Sequence, residues 1–99
     1  MEIEKLDINE RRRSERWQCA KPIQWRVRGG RRVRQGMVPE RSMSGMVIAA
    51  ARQDLVPVGT QVRPGDDQTC VRHGFRAGVI CRTDIVDGQI YLLFVDILA

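Results

Sequence analysis

From Trp17 onward the chain alternates. Trp17, Cys19, Ile23, Trp25 and Val27 fall on odd positions, with Gln18, Ala20, Gln24, Arg26 and Arg28 between them. Period two keeps one set of side chains on one side of a strand, and a helix cannot do this. Pro22 withholds a ladder donor, which predicts a sheet edge or a bulge there. Gly29-Gly30 is a two-residue hairpin signal, returning the chain through a second strand over 31–39 that carries Val33, Met37 and Val38. A third apolar run, 46–51, predicts a third strand, and Pro57 and Gly59 mark 54–59 as a connection into a short strand at 60–63. Pro64-Gly65-Asp66-Asp67 is a strong turn signal. The alternation of 69–83 reads as one long strand, with Val71, His73, Phe75, Ala77, Val79 and Cys81 on one face and Cys70, Arg72, Arg76, Ile80 and Arg82 on the other. Gly74 and Gly78 would let it bend. Asp87-Gly88 predicts a tight hairpin, and 89–97 closes the chain as an apolar strand.

Some six strands at close spacing, with no convincing long helix, define an all-β domain with little or no helix. Closure into a barrel is the economical way for so few strands to protect their edges. In 1–16 only Ile3, Leu6 and Ile8 are apolar after the first residue, so the reading divides the chain into a flexible basic N-terminal arm, 1–16, and a barrel, 17–99.

Charge is distributed unevenly. Residues 1–34 hold eleven Lys/Arg against five Asp/Glu, whereas 35–99 hold six against seven. Fifteen of the seventeen basic residues are Arg, whose planar fork binds phosphate bidentately and stacks on flat rings. A coding bias toward Arg explains the total as well as a ligand does, but not the clustering. No apolar run approaches the length of a membrane span, and Met1-Glu2-Ile3-Glu4-Lys5 lacks the apolar core of a secretory signal, so a cytoplasmic location is expected. Cys19, Cys70 and Cys81 show no metal-ligand spacing and are expected to be buried, reduced thiols. Met37, Met43 and Met46 read as core filler.

Catalytic readings fail quickly. His73, alone of its kind, lies amid apolar alternation and is expected to be a satisfied core or edge histidine. Asp66-Asp67 is explained by a solvated turn, and no Gly-rich loop precedes a helix. No catalytic residue, metal site or cofactor is predicted, and the chain reads as a binding module.

Two stretches stand out. Arg11-Arg12-Arg13-Ser14-Glu15-Arg16 sets Arg12 and Arg16 four apart, on one side of any helical turn, where both can grip neighbouring phosphate oxygens. Each such charged hydrogen bond contributes about 1.5–3 kcal/mol. A solvated Arg run, or an arm neutralising nucleic-acid phosphates, are the other readings of the same residues. Glu40-Arg41-Ser42-Met43-Ser44-Gly45 offers a carboxylate, a hydroxyl and a glycine that permits close approach, and is otherwise an ordinary polar turn.

The pair, Arg12-x-x-x-Arg16 followed by Glu40-x-Ser42-x-x-Gly45, resembles the RxxxR and [D/N]xSxxG motifs of the PilZ domain, the bacterial cyclic di-GMP receptor module. The resemblance extends through the strand of 17–28, the connection Val56-Pro57-Val58-Gly59-Thr60, the Asp87-Gly88 turn and the closing Phe94-Val95-Asp96-Ile97. It implies a six-stranded antiparallel barrel that binds cyclic di-GMP on its outer surface. Arg12 and Arg16, flanked by Arg11 and Arg13, would hold phosphates and guanines. Ser42 would hydrogen-bond the ligand, and Gly45 would shape the turn. Arg11 stands where an additional Arg in the family accompanies an intercalated ligand dimer, whose four phosphate charges need more than two guanidinium groups. Arg82, expected on the outward face, would add a contact. The arm would fold over the ligand and alter the surface offered to a downstream protein partner, in a family that regulates biofilm formation and motility. Glu40 departs from the pattern, its carboxylate set one methylene further out, and weakened rather than abolished binding is expected. The alternatives are a PilZ-like adaptor that no longer binds nucleotide and a small nucleic-acid-binding barrel; five aromatic residues leave the latter few stacking platforms.

Overall fold

The opening alternation becomes β1 (Arg16–Val27), which includes Arg16, a residue the sequence assigns to the arm. The computed structural model describes residues 16–98. β2 (Arg34–Ser42), β3 (Gly45–Ala51), β4 (Gln61–Pro64), β5 (Gly78–Ile85) and β6 (Ile90–Ile97) complete a closed barrel in the order β1-β2-β3-β6-β5-β4, with every neighbouring pair antiparallel. The expected all-β, six-stranded antiparallel barrel is the fold observed.

The core follows from parity. On β1, Ile23 and Trp25 turn inward; β3 contributes Met46, Ile48 and Ala50, and β6 contributes Leu93 and Val95. Trp25, Ile48 and Leu93 are fully buried. Removing such a side chain to Ala typically costs about 2–5 kcal/mol through lost transfer energy and the cavity left behind. Val56, in the β3–β4 connection, closes one end of the core. Pro22 sits where the sequence allowed it: the β1–β2 register shifts between Gln18 and Lys21, and β1 pairs with β4 only from Trp25 to Val27.

The barrel departs from the expectation in three places. First, the predicted long strand over 69–83 is split. Its first part is a short helix, α1 (Asp67–His73). Asp66, read as part of a turn, is the N-cap, its carboxylate accepting from the Thr69 N–H at 2.7 Å. Gly74 ends the helix in the left-handed conformation at φ 66°, where a residue with a Cβ is strained. These capping signals at both ends outweigh the period-two pattern between them. Second, β5 begins with Ile80 facing the core, opposite to the predicted parity, and the register shift between Ile80 and Arg82 leaves Cys81 exposed while keeping Arg82 on the outward face expected of it. Cys70 is half-buried, so neither thiol is a core residue. Third, β2 runs to Ser42 instead of ending at 39, and it starts at Arg34 instead of 31, because the first hairpin is longer than two residues. Its turn places Gly29 at φ 82°, and Gly30 N–H donates to Val27 O at 2.8 Å. Of the methionines read as core filler, only Met46 is buried; Met37 and Met43 are exposed.

His73 is buried, with Nε2 3.0 Å from Pro22 O, a satisfied histidine at the end of a helix. At the opposite end of the barrel Asp54 is buried beneath two arginines. Arg32 Nη2 lies 2.8 Å from its carboxylate and Arg34 Nη1 3.7 Å, while Arg34 also stacks on the Trp25 ring, 5.6 Å from its centroid.

Candidate functional site

Strand pairing brings the two motif stretches together. Arg16, the last residue of the RxxxR pattern, is the register partner of Ser42 across β1 and β2. Arg11, Arg12 and Arg13 lie outside the described residues.

The Ser42–Gly45 turn is held from three directions. Within it, Gly45 N–H donates to Ser42 Oγ at 3.1 Å, and the hydroxyl lies 3.3 Å from Gly45 O as donor. From β6, Ile97 N–H donates to Ser44 O at 2.9 Å. From α1, the connection is Arg41: its Nε and Nη2 donate to His73 O at 3.0 and 2.8 Å, and Nη2 reaches Gly74 O at 3.4 Å. Nη1 of the same guanidinium donates to Ser42 O and, at 3.2 Å, to Gly45 O. A planar fork of five N–H groups can tie a helix C-terminus to a strand turn in this way, whereas an ammonium cannot. Glycine at 45 is required by space: a Cβ there would stand 3.0 Å from Val95 O on β6. Ser42 is 6% exposed, so its hydroxyl braces the turn instead of standing free on the surface.

Beside the turn, register aligns one residue from each of five strands. Gln18 faces Glu40, Glu40 faces Val47, Val47 faces Phe94, and Phe94 faces Arg82. Val47 and Phe94 alternate with core residues, and Arg82 is the register partner of Phe94, so all three lie on the outer side of the barrel. Arg82 is exposed and stacks over Phe94, with Cζ 4.0 Å from the ring centroid, and lies 3.9 Å from Asp84. Val47, although outward, is only 6% exposed. The result is an apolar floor in which Val47 is covered and Phe94 lies half-buried beneath Arg82, bounded by a carboxylate at Glu40 and the Arg82 guanidinium. The chemistry on offer at the surface is polar: a carboxylate accepts ring N–H groups, and a guanidinium already stacked on Phe94 presents its other face to a planar ring or binds an anion.

Cys81 borders this face from the bulge. Its Sγ donates to Phe94 O at 3.3 Å, and burial, followed by the nearby Asp96 carboxylate, raises its pKa above that of an ordinary thiol. Among the described residues no group of His, Cys, Asp and Glu could hold a metal ion, and no helix is long and apolar enough to cross a membrane.

Of the predicted site residues, Glu40 and Arg82 thus lie on the outer side of β2 and β5, Ser42 and Gly45 form the adjoining turn with the Ser42 hydroxyl turned into it, and Arg16 is placed by register at its edge. Sequence reasoning missed Arg41, Val47 and Phe94. Arg41 sits inside the second motif, but its partners at 73 and 74 are distant in sequence. Val47 and Phe94 belong to apolar runs with no mark of an outward side. No protein-family model matches the chain, and no curated protein matches its sequence.

Proposed function

We propose that the chain is a PilZ-type receptor domain of the bacterial cytoplasm that binds cyclic di-GMP on the outside of the barrel and signals to a protein partner through its basic arm. The observation that carries this reading is the pairing of Arg16 with Ser42, which joins the two motif stretches on adjacent strands. In the proposed complex Arg12 and Arg16 hold the phosphates, with Arg11 and Arg13 supplying the added charge that a ligand dimer demands. Arg82, stacked on Phe94, offers its outer face to a guanine, and Glu40 accepts from the N–H edge of that base. Binding orders the arm over β2 and β3, and the partner reads that change.

The geometry of Ser42 favours a second reading. A hydroxyl already engaged with Gly45 and almost fully buried suits a barrel that keeps the turn but has lost the nucleotide, and acts as a protein adaptor. Calorimetric titration with cyclic di-GMP, with GTP as control and Arg12→Ala as second protein, separates the two. Saturable binding absent in Arg12→Ala supports the receptor, and a ligand-to-protein ratio near two supports the role given to Arg11. No heat from the wild-type protein refutes the receptor and leaves the adaptor.

A further inference from the structure

The other side of the barrel carries an unbalanced charge. Residues 21–39 contain six Lys/Arg and no Asp/Glu, and β4 adds Arg63, again without an acid. Arg26 and Arg63 are direct register partners across β1 and β4, flanked by Arg28, whose N–H donates to Gln61 O and whose Nη1 donates to Gln61 Oε1 at 2.9 Å. Parity sets these residues outward, because Trp25, Val27 and Val62 between them face the core. Like charges directly opposed in a sheet destabilise it. Nothing within the described barrel relieves this pair: Arg26 donates to Gly30 O, Arg63 takes no ion pair among the described residues, and the nearby Asp54 is already held by Arg32 and Arg34. An arrangement that is unfavourable in isolation, and outward-facing, is suited to an external anion.

We infer that the outer face of β1, β4 and the adjoining part of β2 docks an acidic protein surface. Charge complementarity sets the sign of the partner. Its class follows from what accompanies the arginines: Gln24 and Gln35 are paired and exposed, and Met37 on β2 and Val33 just before it are exposed beside them. Arg and Met are enriched at the centres of protein interfaces, where an apolar contact anchors the charged ones. The described part of this face holds no aromatic residue to serve as a stacking platform for nucleic-acid bases. The partner is therefore a surface of carboxylates around an apolar centre, docking on the side of the barrel away from Glu40 and Arg82.

The test uses the full chain and three probes of similar length: a peptide alternating Glu and Leu, one alternating Lys and Leu, and a duplex DNA. Binding is read by NMR from the amides of Gln24, Arg26 and Arg63. The expected result is binding of the Glu–Leu peptide alone, weakened at least tenfold in Arg26→Glu/Arg63→Glu and unchanged in Arg76→Glu, which alters an exposed arginine near α1. If the double variant does not fold, Arg63→Gln is used, with a loss of a few-fold expected. Failure of the Glu–Leu peptide to shift these amides overturns the inference, as does equal weakening by Arg76→Glu. Tighter binding of duplex DNA through the same residues overturns it in favour of a phosphate-binding surface. Cyclic di-GMP enters none of these measurements, so the outcome is independent of the receptor reading.

Discussion

Replacing Arg41 by Ala removes a side chain that joins the Ser42–Gly45 turn to α1. The guanidinium donates twice to His73 O, at 3.0 and 2.8 Å, and also to Gly45 O and Ser42 O. A hydrogen bond from a charged donor contributes about 1.5–3 kcal/mol. Arg41 is half-buried, so water can satisfy part of what the guanidinium leaves behind. One to two such bonds are therefore the net loss, or ~2–4 kcal/mol. In a domain of this size each kcal/mol corresponds to about 4–8 °C, which places the fall in Tm at roughly 8–32 °C. Arg41→Lys keeps the charge but cannot reach both the helix end and the turn, and should recover less than half of the loss. Circular dichroism melts of the three proteins give the ranking, and hydrogen exchange at the Gly45 and Gly74 amides should accelerate selectively in Arg41→Ala. A Tm unchanged in Arg41→Ala, or fully restored by Lys, would refute the clamp.

Three further outcomes follow from the same geometry. Asp54→Asn leaves Arg34 half-buried without its charge partner and should cost about 3 kcal/mol, the low end for a broken buried pair because Arg32 is largely exposed, as read from a urea midpoint. In Gly36→Ala the added Cβ stands 2.7 Å from Ala49 O and 2.8 Å from Ile48 Cγ2, a strain of about 1–3 kcal/mol. Gly88→Ala meets nothing within 4 Å and should fall within about 0.5 kcal/mol of wild type; equal destabilisation of the two would contradict the packing. Cys81 is exposed, yet its raised pKa keeps the reactive thiolate scarce, so alkylation followed by peptide-resolved mass spectrometry should be slow near neutrality. Asp96→Asn removes the second cause of the shift, lowers the pKa and should speed the reaction at fixed pH, whereas an unchanged rate would assign the whole shift to burial.

The barrel was legible because its strands alternate and its turns carry Gly, Asp and Pro. Ile23 and Trp25, placed inward by parity, are core residues, and the 46–51 and 60–63 strands shift by only a residue or so. The failures share a cause. From 69 to 83 parity was extended across Gly74 as though the chain were continuous, but capping by Asp66 and the left-handed Gly74 make a helix, and the bulge at Cys81 resets the faces of β5. Parity carries no information across a cap or a bulge. For the candidate site, Glu40, Ser42, Gly45 and Arg82 were legible as residue types at a spacing. Their proximity, the floor of Val47 and Phe94 and the clamp of Arg41 arise from contacts between segments far apart in sequence.

Backbone-amide NMR of the full chain titrated with cyclic di-GMP tests the receptor proposal most directly. The account predicts saturable shifts at Ser42, Gly45, Val47, Phe94 and Arg82, with Gln24 and Arg63 on the opposite face unmoved. Shifts absent at saturating ligand, or centred on Arg26 and Arg63, would contradict it.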